Sequence, residues 1–199
     1  MKKLLGVLII AATMISSTFA LGLSLGGRGL IGGNLDTVKN AVKAKGEGLV
    51  YGGGAFVNLE LFGGLGVQAE TNFVSSQVGG DKNINMVDIP VMAWYNLNLF
   101  DVVSIGLGAG VNFGTITNDF IKDVQSINTW KTGLAIGANF KIYFNKHFGI
   151  VLGANGVFEF SKRSNEAIAD NVVNGQQAKF FDTERQSVYG TLGAEFKLF

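Results

Sequence analysis

Nine charged side chains recur on one phase of alternating stretches in this 199-residue chain: Arg28, Lys131, Lys141 and Lys197 with Glu60, Glu70, Asp88, Glu159 and Glu195. Successive residues of a strand point to opposite faces, so a shared phase brings charges to one side of a sheet. Their neighbours on that phase are mostly glycines and small polar residues. Four cations and five anions on one enclosed face are expected to pair with each other, forming a charged network that plugs the space. Arg28 stands midway along its stretch, with Glu70 and Glu60 as its expected partners. An arginine suits that place because it stays charged and holds two oxygens at once. Lys141, Glu195 and Lys197 complete the lower part of the network. The sharper alternative for these charges is a narrow path for ions or solutes.

Other chemistry is sparse. His147 is the only histidine, and it falls in a short polar connection. Hydrolytic chemistry commonly sets a histidine beside a nucleophile or carboxylate, and that placement argues against it. The run Gly106–Gly110 lies within an alternating stretch rather than between a strand and a helix, so it cannot cradle phosphate. No carboxylate cluster has calcium-loop spacing. The chain has no cysteine, which excludes disulfides, thiolate metal sites and a lipid-modified N-terminus. Neither a metal nor another cofactor is expected, and the protein reads as a non-enzyme. A formal charge of +1 carries no nucleic-acid signature.

The elements that must hold these charges alternate with a period of two. Eight stretches do so: Leu21–Gly33, Gly48–Phe62, Leu65–Ser76, Val87–Leu97, Val103–Gly114, Trp130–Phe144, Phe148–Ser161 and Gln186–Leu198. Each is long enough for the ~9–11 residues of a tilted membrane strand. Beyond the first twenty residues, no apolar run approaches the ~20 residues of a membrane-spanning helix. Short turns at Phe62-Gly63-Gly64, Phe100-Asp101 and Asn145-Lys146-His147 alternate with polar loops at Asn34–Glu47, Gln77–Asn85, Thr115–Thr129 and Lys162–Glu184. Short connections on one side and long ones on the other are the outer-membrane pattern, with turns periplasmic and loops extracellular.

Residues 1–20 read as a cleavable signal peptide, leaving one domain over 21–199. Lys2 and Lys3 precede the apolar stretch Leu4–Ile15, and Thr18-Phe19-Ala20 supplies small residues for a cut after Ala20. That apolar stretch is too short to cross ~30 Å of hydrocarbon.

A soluble barrel would show the same period with its bulky phase inside. Here the polar phase is crowded with glycine and too sparsely charged to solvate an exterior, but it suits the interior of an eight-stranded barrel. Aromatic residues on the bulky phase gather near the strand ends. Tyr51, Phe73, Phe113, Trp130 and Phe160 lie towards the loops, and Phe144, Phe148 and Phe196 towards the turns. They match interfacial girdles. The expected fold is therefore an all-β, antiparallel, up-and-down transmembrane barrel of eight strands, in contact with outer-membrane lipids.

Asp88-Ile89-Pro90-Val91 and the following Gly106-Leu107-Gly108-Ala109-Gly110 resemble two strands of the small porin-like outer-membrane barrels, a family that includes OmpX- and OmpW-like proteins. The resemblance implies a bacterial outer-membrane location and assembly by the barrel-assembly machinery through the C-terminal strand. Phe199 is the terminal aromatic of such a strand, but Lys197 stands where a second aromatic is usual. Leu30, Val50, Val74 and Val157 gather on the inner phase near the loops. They are expected to pack beneath the loops, the alternative being a mouth for a hydrophobic ligand as in OmpW-like barrels. Phe180 and Phe181, in the longest loop, are candidate contacts for an extracellular partner. The expected role is structural or surface-interacting with a closed lumen. The competing role is a porin or OmpW-like channel for ions or small hydrophobic molecules.

Overall fold

The computed structural model describes residues 22–34, 48–77, 83–99, 102–118, 129–162 and 184–199. The expected signal peptide and Phe180 and Phe181 lie outside the described residues, as does the Phe100-Asp101 turn. Eight strands form in chain order: β1 (Gly22–Asn34), β2 (Leu49–Glu60), β3 (Leu65–Gln77), β4 (Asn83–Leu99), β5 (Val103–Ile116), β6 (Trp130–Tyr143), β7 (Phe148–Glu159) and β8 (Gln186–Lys197). Each pairs antiparallel with its sequence neighbours, and β1 pairs with β8, so the sheet closes on itself. Closure leaves no edge strand to expose unpaired backbone groups, which hydrocarbon would not tolerate.

Alternation fixes what faces where. No outward-facing position of the eight strands carries a charge, and the outward residues include an exposed belt of Leu, Ile, Val and aromatic side chains. The eight girdle aromatics named from the sequence all face outwards, from Tyr51 and Trp130 at the loop end to Phe144 and Phe196 at the turn end. The charged phase faces the lumen. The structure thus has the all-β, eight-stranded, closed architecture expected from the alternation.

Two turn chemistries set the register at the narrow end. Between β2 and β3 a 3-10 turn spans Phe62–Gly64, with Gly63 at φ 65° and Gly64 at φ 80°. Side chains rarely adopt that left-handed region, so two glycines stand there. Between β6 and β7 the Asn145 side-chain oxygen accepts from the backbone N–H groups of His147 and Phe148, both at 2.8 Å. The largest departure from the alternation-based limits is β4, which begins at Asn83 rather than Val87 and runs for 17 residues. Ile84 and Met86 continue its inner phase, so the strand extends as long as side chains fill the mouth.

Leu107 tests the orientation. It sits mid-strand on β5 and is 66% exposed on the outer face. Leu107→Arg should cost ~2–4 kcal/mol in a lipid bilayer, the price of a charge near the midplane. Urea unfolding in vesicles measures it, and a variant as stable as wild type would mean the two phases are inverted.

Candidate functional site

The lumen is filled in tiers, and the one nearest the loops depends on Arg185. This residue precedes β8, in step with the strand's inward positions Ser187 and Tyr189. Its guanidinium reaches the opposite wall and donates to both oxygens of Asp88 on β4, Nη1 to Oδ1 at 2.9 Å and Nη2 to Oδ2 at 2.7 Å. Two parallel charge-assisted bonds hold both planar groups in one orientation. Glu159, at the end of β7, lies 3.7 Å from Nη1. Burial alone would lower the Arg185 pKa, but the Asp88 and Glu159 carboxylates outweigh it and raise the value above that of an ordinary arginine. The tier continues sideways: Arg185 Nε donates to Ser187, Ser187 to Asn34, and Asn34 to Ser76, at 2.6–3.0 Å. Asn112 donates to Asp88 at 3.0 Å.

Beside this tier lies an apolar cluster of Leu30, Val50, Val74, Ile84, Met86, Ile116, Val157 and Tyr189, each no more than 5% exposed. The four apolar residues singled out from the sequence are all in it. They pack against one another.

In the middle tier Arg28 bonds Glu70, which also accepts from Gln68 at 2.6 Å and Asn72 at 3.0 Å. Asn155, with its amide oxygen turned inwards, accepts from the Arg28 terminal nitrogens at 3.0 and 2.8 Å. The other half of this level is filled by Met92, Trp94 and Ala135. The Trp94 ring lies flat against β5 and β6, where Gly108 and Gly137 are paired. A β-carbon at either glycine would come within 2.5 Å and 2.8 Å of the indole. The glycines of the inner phase here make room for a large ring in a narrow barrel.

At the turn end Lys141 pairs with Glu195 at 2.7 Å, and the Tyr143 hydroxyl donates to Glu195 at 3.3 Å. The Lys197 ammonium sits 3.8 Å above the Tyr143 ring.

Of the nine charges named from the sequence, the structure joins Arg28 to Glu70, Lys141 to Glu195, and Asp88 with Glu159 through Arg185. Lys131 and Glu60 take other partners. Lys131, the second residue of β6, donates to Ser161 at 3.0 Å. Glu60 does not meet Arg28. Arg28 stands opposite Gly54 in the middle of β2, whereas Glu60 is the last residue of that strand and accepts from Asn98 at 3.0 Å. Arg185 lies one residue before the alternating stretch Gln186–Leu198, and carrying the phase back from Ser187 reaches it. His147 stacks on Phe196, with its Nδ1 3.0 Å from the Lys197 carbonyl oxygen, and so braces the C-terminal strand. Among the described residues no group of three histidine or carboxylate side chains could hold a metal ion.

Two substitutions probe this packing. Arg28→Ala strands a buried carboxylate and should destabilise by up to the ~3–5 kcal/mol seen when one partner of a fully buried pair is removed. Adding Glu70→Ala should recover part of that loss, and strictly additive costs in urea unfolding would show that the two are uncoupled. Gly108→Ala should cost ~1–3 kcal/mol by overpacking against Trp94. Trp94→Leu in the same chain should relieve it, and a Gly108→Ala barrel as stable as wild type would refute the close approach.

A family described as outer membrane protein beta-barrel domain matches residues 4–181. A search of curated proteins finds no matching sequence. Among solved structures, Neisserial surface protein A (NspA) is similar at a TM-score of 0.52 and 11% identity, over 89% of this chain and 95% of that one. The N-terminal β-barrel domain of Pseudomonas aeruginosa OprF gives 0.46 and 16%, over 88% and 97%. Ail, the attachment invasion locus protein of Yersinia pestis, gives 0.48 and 17%, over 89% and 97%. At these identities the NspA likeness concerns the fold. The family match spans most of the chain, and with the closed eight-stranded barrel it leads to one conclusion: the chain belongs to the outer membrane protein β-barrel domain family and resides in the bacterial outer membrane.

Proposed function

We propose that this protein is a non-enzymatic surface protein of the outer membrane, with the barrel as a closed anchor and the extracellular loops as the interacting part. One observation carries the reading: the Arg185–Asp88 pair crosses from β8 to β4 with both side chains buried, beside a packed apolar cluster. A barrel whose interior is spent on ion pairs and packing is a rigid scaffold, and binding on such scaffolds usually falls to the loops. The hydrophobic-channel alternative has little support, since Leu30, Val50, Val74 and Val157 are buried against each other. Phe180 and Phe181 remain the proposed loop contacts, and an extracellular partner is proposed without a named identity. We also propose that the barrel-assembly machinery reads the C-terminal strand, where Phe196, Leu198 and Phe199 are exposed.

Planar-bilayer recording tests the closed anchor. Wild-type protein should show no steady single-channel conductance, and Asp88→Ala should raise the frequency of brief openings by loosening the cross-barrel tie. Steady conductance in the wild type would overturn the closed-anchor reading in favour of a pore.

A further inference from the structure

Inner glycines such as Gly108 and Gly137 make room for Trp94, but four glycines of the outer face have no such neighbour. Gly27, Gly29, Gly53 and Gly190 lie on the outward phase of β1, β2 and β8. At each of them no side chain lies within 4 Å of the place a β-carbon would take. The nearest backbone oxygen stands 3.3 Å away at Gly53 and at least 3.7 Å away at the other three. None of the four has a positive φ. Neither internal packing nor backbone conformation therefore calls for glycine there, although glycine within a strand weakens it. The outward phase of β3, β4, β5 and β6 carries no glycine at all. Gly29 and Gly190 instead line a depression of about 490 Å³ walled by Ile31, Leu152 and Leu192. Large and small residues alternate across it, Ile31 being paired with Gly190 and Leu192 with Gly29. Ile31 is 63% exposed and Leu192 61%, and among the described aliphatic side chains only Leu107 is more exposed.

Fluid lipid is the same on every side of a barrel, so a relief confined to one wall answers to something other than lipid. In hydrocarbon, burying apolar surface gives no drive of its own, and association depends on close packing that small residues permit. We propose that the outer wall formed by β7, β8, β1 and β2 is the docking face for a second copy of this chain within the membrane. Each copy supplies both parts of the contact, the glycine hollows and the Ile31 and Leu192 side chains that fill hollows. Copies inserted in the same orientation pair about a two-fold axis along the membrane normal, which closes the assembly at two. The area suffices. Four strands ~4.8 Å apart under an apolar band ~25 Å tall present roughly 500 Å² per copy. A pair therefore covers ~1,000 Å², the floor for a specific interface. The inference concerns the outer wall and is independent of whether the lumen is closed.

The chain has no cysteine, so Lys146→Cys, exposed in the β6–β7 turn, takes one dye per chain. Donor-labelled and acceptor-labelled barrels are mixed in lipid vesicles, and energy transfer is followed as lipid is added. Transfer should exceed the level of random encounter and fall along a monomer–dimer curve. Gly29→Leu combined with Gly190→Leu fills two hollows where a β-carbon has open space. That variant should move the curve to a roughly tenfold higher protein-to-lipid ratio, a loss of ~1.4 kcal/mol. Ala109→Leu, on the outward phase of β5, should leave the curve in place. Transfer no greater than random overturns the proposal, as does a glycine variant that acts no more strongly than Ala109→Leu. If the leucine variant does not fold, as judged by heat-dependent gel mobility, cross-linking decides. Leu192→Cys should then give covalent dimers with a short bis-maleimide in vesicles and Leu107→Cys should not, and equal yields overturn the proposal.

Discussion

Everything in this barrel follows from a rule that hydrocarbon imposes: a backbone N–H or C=O exposed to it must find its partner within the protein. A sheet meets that rule only by closing, and the pairing of β1 with β8 is the step that removes the last two edges. With eight strands, closure leaves an interior just wide enough for side chains. Outer residues must then satisfy lipid and inner ones must satisfy each other, with no surface left over for water to forgive a mismatch. The absence of outward charge on all eight strands and the gathering of charge inside are two sides of that rule.

The narrow interior forces choices on size as well as on charge. A tryptophan fits only because Gly108 and Gly137 lie beneath it. Arginines appear where one side chain must reach across the lumen or hold several acceptors, as Arg185 does with Asp88 and Arg28 does with Glu70 and Asn155. Removing a charge from such a set is more damaging than replacing the whole set with apolar residues would be, because the survivors stay desolvated. The charges within a tier are therefore mutually dependent.

Much of this was legible in the residues alone. A period of two names the strands, and the bulk of one phase together with the glycine of the other names the face that meets lipid. Pairing across the barrel was not legible, because it depends on the stagger of the strands, and stagger is set by turns and closure rather than by any one strand. Glu60 and Glu70 lie on adjacent strands with the same phase, yet the β2–β3 register puts Glu70 opposite Phe56 and Glu60 opposite Gly66. Strand ends were also obscure. Ile84, Met86, Ile116 and Arg185 all continue an inner phase past the point where polar residues suggested a loop. Met86, Ile116 and Arg185 lie one inward position further along the alternation, and Ile84 two.

Arg185 has one more property, which comes from its address in the chain. It follows directly on the longest stretch between strands, residues 160–184, and it is also the group that ties β8 to β4 inside the barrel. Glu159, at the other base of that stretch, touches the same guanidinium. The stretch between β7 and β8 and the tie across the interior thus meet at one residue. Any ligand that prefers the segment with Arg185 drawn outwards weakens the tie by the free energy of that preference, and any change that weakens the tie favours the ligand by the same amount.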